Sequence, residues 1–254
     1  MDLQLEGKRC LVTGASQGIG RATAKMLAAE GCHVVLVGRR LEPLEAAADE
    51  IRSAGRGSAL VVSQDVTTLD APAKVRERVE SDLGSVDILV NSAGGSRTIP
   101  WDAGEDVWVE GMELNFGATR RMTTEFLPGM RKAGFGRVIN ITGTSEPPWV
   151  NVASTAKGAV HAWAKGLSRV VAKDGITVNS IAPAPGIVRS EQILNKLFSS
   201  EQERDAYIAQ NVPVGFMGEA EDLGFIAVCL ASPLARFVTG DIIHADGGAR
   251  RFAF

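Results

Sequence analysis

The sequence predicts an α/β protein built on a doubly wound parallel sheet of about seven strands, with helices on both faces. Two observations carry this. Short runs of aliphatic and β-branched residues alternate with longer helical stretches along the whole chain. The runs are continuously apolar rather than apolar on every second residue, so both faces of each strand should be covered, as in a parallel sheet. Strand and helix in strict alternation give right-handed βαβ units, whose successive strands lie parallel.

In order, the expected strands are "RCLVTG" (9–14), "HVVLVG" (33–38), "SALVVSQDV" (58–66), "VDILVNSAG" (86–94), "GRVINIT" (136–142), "ITVNSIAP" (176–183) and "DIIHADG" (241–247). Helical stretches lie between them at 18–30, 42–54, 71–83, 105–132, 153–173 and 219–232. The second helix reads "EAAADEIRSAG" and stops at a glycine, a usual C-terminal signal. Segment 184–218 is too long for a simple connection and is expected to be functional, with 189–217 as a substrate-covering lid. Ile193, Leu194, Leu197 and Phe198 would give that lid an apolar face. No Pro/Gly/Ser linker and no internal repeat divides the chain, so residues 1–254 read as one domain.

Composition narrows the function. Of 254 residues, 45% are apolar and 22% charged, with a net charge of −3, so no basic field points to nucleic acid. No apolar run approaches a membrane span, and "MDLQLEGKRC" is too polar for a signal peptide, which suggests a cytoplasmic protein. Cys10, Cys32 and Cys229 each sit in an apolar stretch without CxxC spacing and are expected to be buried thiols.

The chemistry begins after the first strand, at "TGASQGIG" (13–20). Gly14, Gly18 and Gly20 let the backbone turn tightly and approach a pyrophosphate, and the helix that follows aims unpaired N–H groups at it. A glycine triplet alone is weak evidence, but this one sits between strand and helix in the first βαβ unit, the setting the motif requires. The second strand ends "VGRR". Gly38 stands where an acidic residue would bind the ribose hydroxyls of NAD, and Arg39 and Arg40 follow, which suits a 2′-phosphate. NADP(H) is therefore favoured over NAD(H), although Gln17 adds no second positive charge within the glycine loop.

These motifs resemble the short-chain dehydrogenase/reductase family, in the single-domain form similar to 3-oxoacyl-[acyl-carrier-protein] reductases. The resemblance runs from about Lys8 to Gly248 and rests on "TGASQGIG", "QDV" (64–66), "NSAGG" (91–95), "LNFGAT" (114–119), "PGIVRS" (185–190) and "TGDIIHADGG" (239–248). It implies a Rossmann-like fold. Gly14, Ser16, Gln17, Gly18, Ile19 and Gly20 would hold the phosphates, Asp65 and Val66 the adenine, and Asn91, Ala93 and Gly94 the cofactor's middle. Lys157, Gly186, Val188 and Ser190 would hold its nicotinamide half. Helices 105–132 and 153–173 would form subunit contacts in a homotetramer or homodimer.

The same resemblance implies a catalytic Ser-Tyr-Lys trio with a supporting asparagine, and here the sequence departs from it. Lys157 and Asn115 are present. Four residues before Lys157, on the same helix face, the family's tyrosine is replaced by Ala153, and the serine position reads Gly143. The interval between those positions is about three residues short, so Thr142, Thr144 or Ser145 could stand in for the serine; Thr144 is the tentative choice. Tyr207 is the single tyrosine and would have to reach the site from the lid. Glu146 and Lys157 are other proton sources. His33, His161 and His244 read as structural, with no metal-ligand spacing. Pro183-Ala184-Pro185 adds two residues to the loop beside the nicotinamide. Two readings stay open: an NADP(H)-dependent oxidoreductase for a small or medium carbonyl or alcohol with an atypical site, and a nucleotide-binding relative without ordinary redox turnover.

Overall fold

The computed structural model describes residues 1–96, 99–147, 149–184, 188, 198 and 200–251. Seven parallel strands form one sheet in the order β3-β2-β1-β4-β5-β6-β7. They are β1 (Arg9–Thr13), β2 (His33–Gly38), β3 (Ser58–Ser63), β4 (Ile88–Asn91), β5 (Gly136–Ile141), β6 (Ile176–Ala182) and β7 (Ile242–His244). The helices are α1 (Gly18–Ala29), α2 (Leu41–Ala54), α3 (Ala71–Leu83), α4 (Glu105–Met112), α5 (Ala118–Ala133), α6 (Val152–Val171), α7 (Glu201–Asn211) and α8 (Ala220–Ala231). This is the Rossmann-like α/β fold that the sequence predicts.

The apolar runs are covered on both sides. Cys10, Val12, Val34, Leu36, Ile88 and Val90 pack beneath α1 and α8, while Leu11, Val35, Val37, Leu89, Val138 and Val178 pack beneath α3, α5 and α6. Cys10 and Cys32 are buried, as expected, but Cys229 is only half-buried. Among the described residues no helix is long and apolar enough to cross a membrane, and no His/Cys/Asp/Glu cluster could hold a metal ion.

Three strands stop three residues earlier than the apolar runs suggest, each for a local reason. After β3 the Asp65 carboxylate accepts from the Thr67 N–H and hydroxyl and turns the chain. After β4 the N–H groups of Ser92 and Ala93 both donate to Thr13 Oγ1. Past β7 the chain turns through Gly247 and Gly248, at φ 62° and 83°, while the Asp246 carboxylate accepts from Gly248 and Arg250 N–H. The expected helix 105–132 is two helices joined by a π-helical turn, Glu113–Gly117, with Asn115 inside it. Within 184–218 the chain forms α7, whose N-terminus is capped by the Ser200 side chain, and a parallel bridge between Val188 and Gly218.

Candidate active site

The sheet order reverses between β1 and β4, and in such sheets ligands bind in the crevice beyond the strand ends at that point. Gly14 turns there at φ 67°, and a Cβ on it would meet Ser92 O at 2.8 Å and the Ala93 backbone at 2.9 Å. A Cβ on Gly20 would lie 2.5 Å from Gly14 O. Any larger residue at either position would break the packing of the loop on α1 and β4. Gly18 has φ 54° with open space around it. Gln17, the N-cap of α1, makes no side-chain bond to the helix, so the first-turn amides are left to a ligand. A backbone cradle that excludes side chains at the positive end of a helix fits a dinucleotide pyrophosphate.

Arg39 and Arg40 are exposed beyond the end of β2. Arg40 Nη2 donates to Gln17 Oε1 at 2.8 Å, closing the rim between β2 and the glycine loop. The Thr67 N–H holds the Asp65 carboxyl below its ordinary pKa, against the opposing effect of burial, and Arg39 adds to the lowering. Val66 beside it is buried. The Asn91 side chain is sealed in the core, with Nδ2 donating to Thr123 Oγ1 and Asn140 Oδ1, so it serves the cleft only through its backbone.

At the other end of the crevice, Gly94 lies over Lys157. A Cβ on Gly94 would stand 2.9 Å from Asn115 Oδ1 and 3.8 Å from Lys157 Nζ. Asn115 is 3% exposed; its Nδ2 donates to Gly111 O across the π-helical turn, and its Oδ1 accepts from Gly95 N–H at 3.1 Å. The bulged helix thus pins the 91–96 segment. Lys157 Nζ donates to Thr142 O at 3.0 Å, and burial lowers its pKa from the usual 10.5 to about 8. Behind it, His161 Nε2 lies 2.8 Å from Thr142 Oγ1. Because the Thr142 hydroxyl donates to Ile181 O, the imidazole supplies the proton of that bond. Burial is the main cause that drives the His161 pKa from 6.5 to about 4, with His244 and Lys157 adding to it.

The sequence model of the short chain dehydrogenase family matches residues 8–201. The chain belongs to that family. A 3-oxoacyl-[acyl-carrier-protein] reductase of Vibrio cholerae is 36% identical over 250 residues, covering 97% of this chain and 98% of the relative. The L-sorbose reductase of Gluconobacter frateurii, solved with NADPH and L-sorbose, superposes with a TM-score of 0.92 at 30% identity, covering 99% and 100% of the two chains. A 3-oxoacyl reductase of Agrobacterium tumefaciens with NADP bound gives 0.91 at 29% identity, covering 97% and 96%.

In this short-chain dehydrogenase the strand ends bring the glycine loop, Arg39, Arg40, Asp65, Ala93, Gly94 and Lys157 to one side of the sheet, with Asn115 buried against Gly94. Ser16 and Ile19 are half-buried in the loop and first helical turn, and Ile19 leans on the core. Val188 is buried against the same core. Gly186 and Ser190, Ile193, Leu194 and Leu197, and with them the first part of the expected lid, 189–197, lie outside the described residues. Thr144 Oγ1 accepts from Glu146 N–H at 3.0 Å, a turn contact. Ser145 Oγ is 3.4 Å from His161 Nδ1. Glu146 accepts from Arg251 N–H, so the C-terminal segment is tied to this loop. Tyr207, on α7, packs its ring against Phe198 at 5.4 Å between centroids and joins the apolar cluster of Ile208, Val212 and Met217.

Two polar residues were missed in sequence. Asn151 is 6% exposed; its Oδ1 caps α6 by accepting from Ala153 N–H at 2.9 Å, and its Nδ2 donates to Ser96 Oγ at 2.8 Å. The signal for Asn151 was there, an asparagine directly before a helix. Ser96 carried none beyond its place after "NSAGG".

Proposed function

We propose that this protein is an NADP(H)-dependent oxidoreductase that interconverts a carbonyl and an alcohol on a small or medium substrate. Its active site works without a tyrosine at residue 153 or a serine at residue 143. The observation that carries the reading is Lys157: a half-buried lysine whose ammonium lies beneath Gly94, bonded to Thr142 O, with its pKa lowered to about 8. The reductases of similar structure were solved with NADPH or NADP, and the exposed Arg39 and Arg40 would suit the 2′-phosphate of an adenosine held by Asp65 and Val66.

A dinucleotide held along the crevice would supply the hydride. The protein's part is to hold the carbonyl and provide a proton. An ammonium with a pKa near 8 is a far stronger acid than an ordinary lysine, yet it stays protonated at neutral pH, which is the balance a general acid needs. Asn115, through Gly95 N–H, keeps the segment above Lys157 in place. We also propose one domain over residues 1–254, a cytoplasmic setting, and a homotetramer or homodimer contact through α4 and α6, where Val109 and Val170 are exposed.

A second reading is a nucleotide-binding protein without ordinary redox turnover. It is favoured by Ala153, which is 4% exposed and offers no acid at that position. NADPH oxidation over a panel of aldehydes, ketones and 3-oxoacyl thioesters separates the two, run beside NADPH affinity for wild type and Lys157→Ala. Turnover that Lys157→Ala abolishes supports the oxidoreductase. Tight NADPH binding with no turnover on any carbonyl overturns it.

A further inference from the structure

The cleft around Lys157 needs a group that grips the substrate oxygen, and the nearby hydroxyls differ in what their protons do. Thr142 spends its proton on Ile181 O and its oxygen on His161. Ser145 is turned towards His161 Nδ1. Thr144 is buried in its turn. Ser96 is exposed at the rim, one residue past the Gly95 N–H that Asn115 holds and two past the Gly94 that overlies Lys157.

Its partner fixes the direction of its hydrogen bond. Ala153 N–H is a donor, so the Asn151 atom facing it is the oxygen Oδ1, and the atom facing Ser96 is the amide nitrogen. An amide nitrogen can only donate, so Ser96 Oγ accepts, and among the described residues nothing takes its own proton. A hydroxyl that accepts one bond also becomes a better donor of the next. The backbone bond from Ile99 N–H to Val150 O ties the two segments together beside this pair. The donor geometry is thereby set by the first turn of α6, the helix that also carries Lys157.

We propose that Ser96 is a catalytic residue, donating its hydroxyl proton as a hydrogen bond to the carbonyl or alcohol oxygen of the substrate, and that Asn151 is its positioning residue. This rests on the oxidoreductase reading above. No bond to Ser96 forms or breaks: the hydrogen bond strengthens as the oxygen gains negative charge, while hydride arrives at carbon and the proton comes from the Lys157 ammonium.

The test uses Ser96→Ala, Asn151→Asp and the double variant. Asn151→Asp keeps an oxygen for the Ala153 N–H but turns the Ser96 side from donor to acceptor, so it captures the serine proton. Each single variant should lower kcat/KM for carbonyl reduction by about 10²-fold, the usual loss for one oxyanion donor, mostly in kcat. The double variant should be no worse than either single one, since both remove the same bond. NADPH affinity and melting temperature should stay near wild type for Ser96→Ala, and Ser96→Thr should retain activity. Wild-type turnover that Ser96→Ala leaves unchanged, or losses that multiply in the double variant, would overturn this assignment alone. A wild type inert towards every carbonyl, with NADPH binding intact, overturns the oxidoreductase reading and this proposal together.

Discussion

Gly143 faces Lys157 across open space: a Cβ at residue 143 would have one atom within 4 Å, Lys157 Cδ at 3.6 Å. Ten residues on, Ala153 is enclosed, 4% exposed, with its N–H bound by Asn151. The two positions are therefore physically unlike. One is vacant and the other closed.

Gly143→Ser should fold with a stability within about 1 kcal/mol of wild type, because the new side chain enters free space at an ordinary φ. Ala153→Tyr should cost about 1–3 kcal/mol by overpacking, as the ring enters a buried position. Urea denaturation of both variants measures this. A tyrosine accepted at 153 without loss of stability would mean that the enclosure is soft.

Arg39 and Arg40 should differ in their effect on cofactor choice. Arg40 already donates to Gln17, whereas Arg39 has its electrostatic influence on Asp65. Arg39→Ala should weaken NADPH binding by about 10–100-fold, the worth of one charge-assisted hydrogen bond to a phosphate, with NADH nearly unaffected. Fluorescence titration with both dinucleotides reads the ratio, and equal weakening of the two would rule out a 2′-phosphate contact.

The fold was legible because continuous apolar runs and glycine stops report backbone facts directly. The glycine loop was legible for a similar reason, since Gly14 and Gly20 are required by contacts a Cβ would violate. Hydrogen-bond partnerships between distant segments were not. Nothing in the order of residues says that Asn151 reaches Ser96, 55 positions away, or that Asn91 turns its amide into the core. The π-helical turn at Glu113–Gly117 was hidden as well, because its apolar pattern matches that of an unbroken α-helix. Tyr207 drew notice as the single tyrosine, but count says nothing of direction, and its ring lies against Phe198.

Lys157 should be a liability to the empty fold. Its folded pKa, about 8, lies below the ordinary 10.5, so burial penalises the charged form. The penalty is complete below pH 8, shrinks as pH rises from 8 to 10.5, and is gone above that. Lys157→Met should therefore stabilise the protein without cofactor at pH 7 by about 1–3 kcal/mol while abolishing reduction. For wild type, reduction should decline above about pH 8 as the ammonium is lost. Denaturation and kcat profiles between pH 6 and pH 10 test both, and a destabilised Lys157→Met would show that the bond to Thr142 O outweighs the burial.

His161 should make the fold acid-sensitive in a defined window. It is 8% exposed, and its neutral imidazole donates to Thr142 Oγ1, the residue whose carbonyl anchors Lys157. Its pKa is about 4 in the fold against an ordinary 6.5. Between those values the unfolded chain holds a proton that the folded one does not, so stability falls as pH drops from 6.5 to 4 and levels off below. The total is about 3 kcal/mol at most. Replacing the imidazole by an amide, His161→Gln, keeps a donor for Thr142 but cannot take a proton, so this part of the acid loss should vanish. Thermal denaturation of both proteins across pH 4 to 7 reads the difference, and parallel curves would place the acid sensitivity elsewhere.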